Sequence, residues 1–369
     1  MATRLAPPED ISMLDIEPET VMKMKNSMKG IIYEGDRIAR VKEFPAPEPR
    51  SREVVVKIEA TTICGSDMHK WRMNRNEYLQ RFSPDLIHGH EGAGIVEGVG
   101  DAVQYLKKGD RVMIYHAQGC GVCPQCLAGN HRLCEIGQWL LATNVNGTFA
   151  ECVLNRETAV RKLPDFLSFF DGAMMGCCAG TSFESLRKLG VGSQSKLAVY
   201  GLGPVGLTAV IEAKTLGAYV IGVDIQEKRL GFGTKYGCDE VVDASKQDPA
   251  KVITALTNGK GVDAAFEASG NALLNAIKSV SATGGRVCAV GWGKDRFEVP
   301  QFSSGLLYER YVFGNSLFPI QSIQKLMDLL VLHRIHLDQI VDTIFRLDQA
   351  QEAHKRFETY ESAKIGFTP

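Results

Sequence analysis

Long apolar runs are missing from this chain of 369 residues, in which no apolar run reaches the ~20 residues that cross a bilayer. A helical membrane span is thereby excluded. Residues 1–26 are polar and acidic and lack the apolar segment of a secretory signal. We read residues 1–27 as an N-terminal extension, disordered or draped over the body. A surplus of either charge is missing too. The 42 Lys and Arg against 43 Asp and Glu leave a net charge of -1, with no basic excess to hold nucleic-acid phosphates or an anionic membrane. A small anionic substrate stays open, because a local pocket charge does not show in the total. Cysteine is too sparse for a disulfide scaffold: there are ten, and four of them fall between Cys120 and Cys134. Such clustering points to metal in a reducing compartment, by default the cytoplasm. What remains, 44% hydrophobic and 23% charged residues, is the composition of a soluble enzyme with room for about two domains.

Two local patterns follow one another along the chain. Up to about Pro164, short β-branched strands such as 54–58, 92–99 and 111–115 alternate with glycine turns, the signature of a distorted all-β domain. From about Thr181, strands alternate with helices. Strands are expected at 196–200, 219–224, 240–243, 262–267 and 286–291, and repeated βα units of this size build a parallel, doubly wound sheet. A helix is expected over 204–216, with Leu207, Val210 and Ile211 on one face and Gly217 as its stop. The tail contains a helix over 320–332 and a strand over 363–367 that returns to the first domain.

The sequence Gly201-Leu202-Gly203-Pro204-Val205-Gly206 follows a strand and opens a helix. The first glycine allows the turn, the second lets backbone approach a pyrophosphate, and the third lets helix and strand pack closely. Asp224 ends the next strand, where a carboxylate receives ribose hydroxyls and repels a 2′-phosphate, which favours NAD over NADP. A methyltransferase cofactor would suit the same loop and acid. Cys120, Cys123, Cys126 and Cys134 can close a tetrahedral zinc site without an open position, which staples a loop. His116 and His131 nearby read as packing or surface residues. Cys64 in Cys64-Gly-Ser-Asp-Met-His69 and His90 in Gly89-His-Glu91 offer two further ligands, although either residue alone reads equally well as a core side chain.

These motifs, in this order, resemble the zinc-containing medium-chain alcohol and polyol dehydrogenases from about Met28 to the C-terminus. The resemblance implies an α/β fold: a GroES-like catalytic domain over 28–180 and 319–369, and a Rossmann domain over 181–318. It implies two zinc ions per chain and NAD. Cys64 and His90 resemble catalytic zinc ligands, and Asp67 the carboxylate that orients His90. Glu91 resembles the neighbouring acid that either supports the ligands from behind or serves as an alternative ligand. Ser66 resembles the hydroxyl that takes the alcohol proton and His69 the end of its relay, while the four-cysteine lobe resembles the structural zinc site. The third catalytic ligand is Cys177 or Cys178; spacing to Phe183 favours Cys177, the Cys-Ala-Gly pattern Cys178, and we take Cys177. Arg229 stands where relatives place a base near the adenosine ribose, and Ser269, Gly270, Gly291 and Trp292 follow strand ends near the nicotinamide.

The reaction so implied moves hydride between a secondary alcohol and NAD, with polyols, sugars or cyclitols favoured. Simple secondary alcohols, threonine, or NAD binding without turnover are the alternatives. Residues 71–83 read as a charged loop whose Arg72, Arg75, Glu77 and Arg81 meet a polar substrate or face water. A homodimer or homotetramer is implied, joined near residues 286–311, with no nucleic-acid or membrane partner.

Overall fold

The computed structural model describes residues 27–293 and 309–369. The N-terminal extension, and part of the expected association surface, lie outside the described residues.

The first half of the chain folds as β1 (Ser27–Gly35), β2 (Ile38–Pro45), β3 (Glu53–Thr62), α1 (Gly65–Trp71), α2 (Arg75–Arg81), β4 (Gly92–Val99), β5 (Arg111–Ile114), β6 (Ala117–Gln118), α3 (Pro124–Leu127), β7 (Trp139–Leu140), β8 (Cys152–Arg156) and β9 (Val160–Lys162). Two helices, α4 (Phe169–Met175) and α5 (Cys178–Leu189), lead into the second half. There β10 (Lys196–Tyr200), α6 (Pro204–Thr215), β11 (Tyr219–Asp224), α7 (Glu227–Lys235), β12 (Glu240–Asp243), α8 (Pro249–Leu256), β13 (Ala264–Glu267), α9 (Leu273–Ser279), β14 (Arg286–Ala289) and β15 (Tyr311–Gly314) alternate. The tail is α10 (Gln321–His333), β16 (Val341–Arg346), α11 (Ala350–Glu358) and β17 (Lys364–Thr368).

Strands β12-β11-β10-β13-β14-β15 form one parallel sheet among the described residues, whose order reverses at β10, so that its cleft opens beside the glycine loop. The second large sheet runs β16-β17-β3-β4-β5-β9, with β8 paired to β3, and β1-β2 and β6-β7 form two small ones. Its closing contact is made by the tail: Gly366 and Phe367 pair with Thr62 and Thr61. The last strand therefore lies against the turn that carries Cys64. Val54, Val56 and Ile58 of β3 point into an apolar core with Val96, Val112 and Ile114, the alternation that one buried sheet face demands.

One expectation needs correction, and two others gain detail. The 71–83 segment is not a loop but mostly helix α2, started by Asn74, whose side chain accepts from the Glu77 N–H. Helix α6 is buried beyond the face of Leu207, Val210 and Ile211: every residue from Gly206 to Ala213 is buried, because α5 packs alongside it over the same sheet. The β domain also carries helices α1, α2 and α4. One continuous helix, α5, spans positions 180 and 181; it begins beside Cys177 and runs onto β13 and β14.

Candidate active site

Helix α1 begins immediately after Cys64. The Asp67 carboxylate accepts the Cys64 N–H at 2.9 Å, capping the helix, and its other oxygen meets His90 Nδ1 at 3.2 Å. One carboxylate thus fixes the helix start and the ring that faces it. With Nδ1 held, His90 presents Nε2, which lies 3.4 Å from Ser66 Oγ. Cys177, at the residue before α5, brings the third segment in. The ligand atoms of Cys64, His90, Glu91 and Cys177 all lie within 4.8 Å of one another.

The electrostatics suit a cation. A hydrogen bond from the Cys177 thiol, against the penalty of burial, and the His90 ring hold Cys64 well below the ordinary thiol value. Burial opposes the His90 imidazolium, but Asp67 and Cys64 outweigh it and lift the ring to about 10. A buried thiolate and imidazolium sharing protons with a second thiol is a donor set that zinc can take over by displacing those protons. Cys178 is turned away, its Sγ 3.6 Å from the Met174 carbonyl and 3.8 Å from Lys364 Nζ.

Glu91 is fully buried and its oxygens are engaged. Lys364 Nζ, also fully buried, donates at 2.5 Å, Thr62 Oγ1 donates to the same oxygen, and the Cys178 N–H donates to the other at 3.3 Å. Burial works against the ammonium of Lys364, but Cys178 and Glu91 keep its proton bound well above the ordinary lysine range. Neither Lys364 nor Thr62 was visible as a site residue in the sequence; no local motif marks a lysine in a C-terminal strand. His116 takes the packing alternative over the surface one. It is buried, its ring centroid 4.8 Å from that of His90, and its Nδ1 donates to the Gly176 carbonyl at 2.9 Å. Burial and the His90 charge push it down to about 3, so it stays neutral.

The four-cysteine lobe shows the second donor set. Cys120 and Cys126 sulfurs lie 3.9 Å apart, and those of Cys123 and Cys134 4.0 Å. Four sulfurs about 2.3 Å from one zinc stand about 3.8 Å apart, far beyond a disulfide bond. The N–H groups of Val122 and Cys123 point at Cys120 Sγ, and that of Cys120 at Cys134 Sγ. Against a burial penalty, such amide donors pull Cys134 down to about 6.

Across from α1 opens a cleft of about 540 Å³, lined by Gly65, His69 and Arg72 on one side and by Gly201, Gly203, Pro204, Val205, Gly206, Asp224 and Arg229 on the other. Gly201 has φ +91, and a Cβ on Gly206 would stand 1.9 Å from the Gly201 carbonyl oxygen, so the loop can close only with hydrogen there. Asp224 accepts from the Leu202, Ile225 and Gln226 N–H groups. Three of about four lone-pair sites are used, which leaves one toward the cleft. Ser269 and Trp292 also line the cleft, with Trp292 stacked 6.0 Å from His69. Of the charged residues in 71–83, Arg72 reaches the cleft, bonded to Glu358 at 2.9 Å, while Glu77 and Arg81 pair with each other at the surface.

A metal-binding β domain whose helix α1 faces a dinucleotide loop places the protein among zinc-dependent, NAD-linked oxidoreductases. Comparison with known proteins makes the class specific. Residues 50–165 match the alcohol dehydrogenase GroES-like domain and residues 204–331 the zinc-binding dehydrogenase domain. The zinc-type alcohol dehydrogenase-like protein YphC of Escherichia coli K12 is 32% identical over 344 residues, 90% of this chain and 96% of its own. Sorbitol dehydrogenase of Bacillus subtilis is 35% identical over 271 residues, 72% of this chain and 75% of its own. The alcohol dehydrogenase TADH of Thermus sp. ATN1 superposes with a TM-score of 0.84 at 28% identity, over 92% of this chain and 99% of its own. The chain belongs to the zinc-type alcohol dehydrogenase family, and its cofactors are NAD and zinc.

The Glu91–Lys364 pair generates a stability prediction. Lys364→Met strands a buried carboxylate and is expected to cost about 3–5 kcal/mol in urea unfolding, whereas Glu91→Gln with Lys364→Met recovers most of that. A single variant costing under about 1 kcal/mol would mean that Glu91 is not held as a charge.

Proposed function

We propose that Cys64, His90 and Cys177 hold the catalytic zinc, and that Cys120, Cys123, Cys126 and Cys134 hold the structural one. Glu91 serves beside the first as the neighbouring acid, kept on Lys364. The loop from Gly201 to Gly206 receives the NAD pyrophosphate, and Asp224 with Arg229 receives the adenosine ribose. One observation carries this reading: α1 sets Ser66 against His90 while His69, one turn on, lines the cleft that holds the glycine loop. A metal site without catalysis has no need of that alignment.

When bound, zinc supplies Lewis acidity toward a hydroxyl oxygen, and NAD accepts the hydride. The chain's own residues do the rest. Asp67 fixes the His90 tautomer and orientation. Ser66 receives the hydroxyl proton and passes it toward His69, which shares its face of α1. Trp292 and Arg72 wall the cleft where substrate and cofactor meet.

The substrate is a polyhydroxylated secondary alcohol: a polyol, sugar or cyclitol. Similarity to sorbitol dehydrogenase supports this, as does the Arg72–Glu358 pair, which offers polar groups to a hydroxylated ligand at the cleft wall. The protein works in the cytoplasm, where its ten free cysteines stay reduced; no described helix is long and apolar enough to cross a membrane. It forms a homodimer or homotetramer through the β15 edge, where Tyr311 and Val312 are exposed.

Nicotinamide reduction across polyols, cyclitols, sugar acids, threonine and simple secondary alcohols, each with NAD and NADP, tests the reading. We expect NAD-dependent turnover of one polyhydroxylated class, lost on chelation; turnover of simple secondary alcohols or threonine alone would overturn the substrate assignment. Ser66→Ala is expected to lower turnover about 10²-fold or more with little change in NADH affinity. An unaltered rate would remove Ser66 from the relay.

A further inference from the structure

The turn between α11 and β17 reaches over to the cofactor domain at a point no motif marks. Tyr360 sits there with φ +57, a left-handed backbone that suits glycine and strains a bulky residue. Something must hold an aromatic side chain at so unfavourable a position. Its ring lies under the guanidinium of Arg229, 4.3 Å from Cζ to centroid. The next residue, Glu361, meets Lys228 at 3.1 Å and Arg356 at 3.7 Å. Two consecutive residues of the tail therefore grip two consecutive residues of α7, the helix that follows Asp224.

This grip bears on the cofactor pocket. Tyr360, Arg229 and Asp224 all line the same cleft. The Arg229 guanidinium stands 3.8 Å from Asp224 Oδ2, beyond hydrogen-bond distance, and a Cβ on Gly203 would lie 3.8 Å from it. Left alone, an arginine beside a buried carboxylate swings into a bidentate pair with it. Stacked on Tyr360, it remains over the second glycine of the loop and leaves the free Asp224 lone pair to a ribose hydroxyl. The ring thus holds Arg229 at ion-pair distance from Asp224, 3.8 Å, without a direct hydrogen bond between them.

We propose that Tyr360, together with the Lys228–Glu361 pair, is a clasp contributed by the catalytic-domain tail that positions Arg229 for the adenosine end of NAD. Tyr360 is a positioning residue for cofactor affinity and makes no contribution to hydride transfer. The clasp rests on the assignment of Asp224 and Arg229 to the ribose.

NADH binding to the full chain, followed by energy transfer from protein fluorescence to the nicotinamide, reads the clasp without turnover. Tyr360→Gly removes the ring and relieves the left-handed backbone together. We expect its melting temperature not to fall, while its NADH Kd rises about three- to ten-fold, the range of a partly desolvated cation–π contact. Tyr360→Phe, which keeps the ring, should restore most of the affinity. Arg229→Gln should weaken binding less in the Tyr360→Gly background than in the unmodified protein, since the two act as one unit. An unchanged Kd for Tyr360→Gly, or strictly additive effects, would overturn the clasp provided Asp224→Asn weakens NADH. Full NADH affinity in Asp224→Asn would instead defeat the ribose assignment, and the clasp with it.

Discussion

The structure depends on keeping several charges buried in one place. Cys64, Asp67, His90, Glu91 and Lys364 are all buried within one neighbourhood of the catalytic domain. Isolated, each would cost several kcal/mol, and together they persist only because every one is paired or hydrogen-bonded. The fold is arranged to bring them together. Cys64 enters from just past the end of β3, His90 and Glu91 from the segment immediately before β4, Cys177 from the residue before α5, and Lys364 from β17. On the proposed assignment, a divalent cation would complete this set by replacing the protons that the thiols and the imidazole otherwise share.

The same elements build the cleft. Helix α1 is capped by the carboxylate that holds His90, so one side chain anchors both the metal-side ring and the helix whose other residues line the cleft. Helix α5 starts immediately after Cys177 and packs along α6, the helix that opens at the glycine loop, through the buried Ser182, Thr208 and Glu212 cluster. Donor set and dinucleotide loop are thereby joined by one helix contact, and positional precision of this kind is what hydride transfer requires.

Features confined to a few tens of residues were legible in the sequence. The glycine loop, Asp224, the four-cysteine lobe and strands such as Lys196–Tyr200 carry their geometry in their spacing. The family resemblance joined Cys64, His90 and Cys177 into one cluster, which spacing alone does not do. Lys364 escaped notice because it stands 273 residues from Glu91, and only the pairing of β17 with β3 unites them. Tyr360 escaped because a left-handed tyrosine looks like any tail residue until α7 lies beside it. Helix α2 was misread because its charged residues outweighed the Asn74 cap, whereas α6 was placed correctly and only the extent of its burial was not foreseen.

A crystal structure of the zinc-loaded protein, with anomalous scattering collected at the zinc edge, tests the account most directly. It predicts two peaks per chain: one central to Cys120, Cys123, Cys126 and Cys134, the other bonded to Cys64, His90 and Cys177, with Glu91 still on Lys364. A second peak bonded to Glu91 with Cys177 free, or bonded to Cys178, would contradict the assigned centre, and its absence would contradict the catalytic reading as a whole.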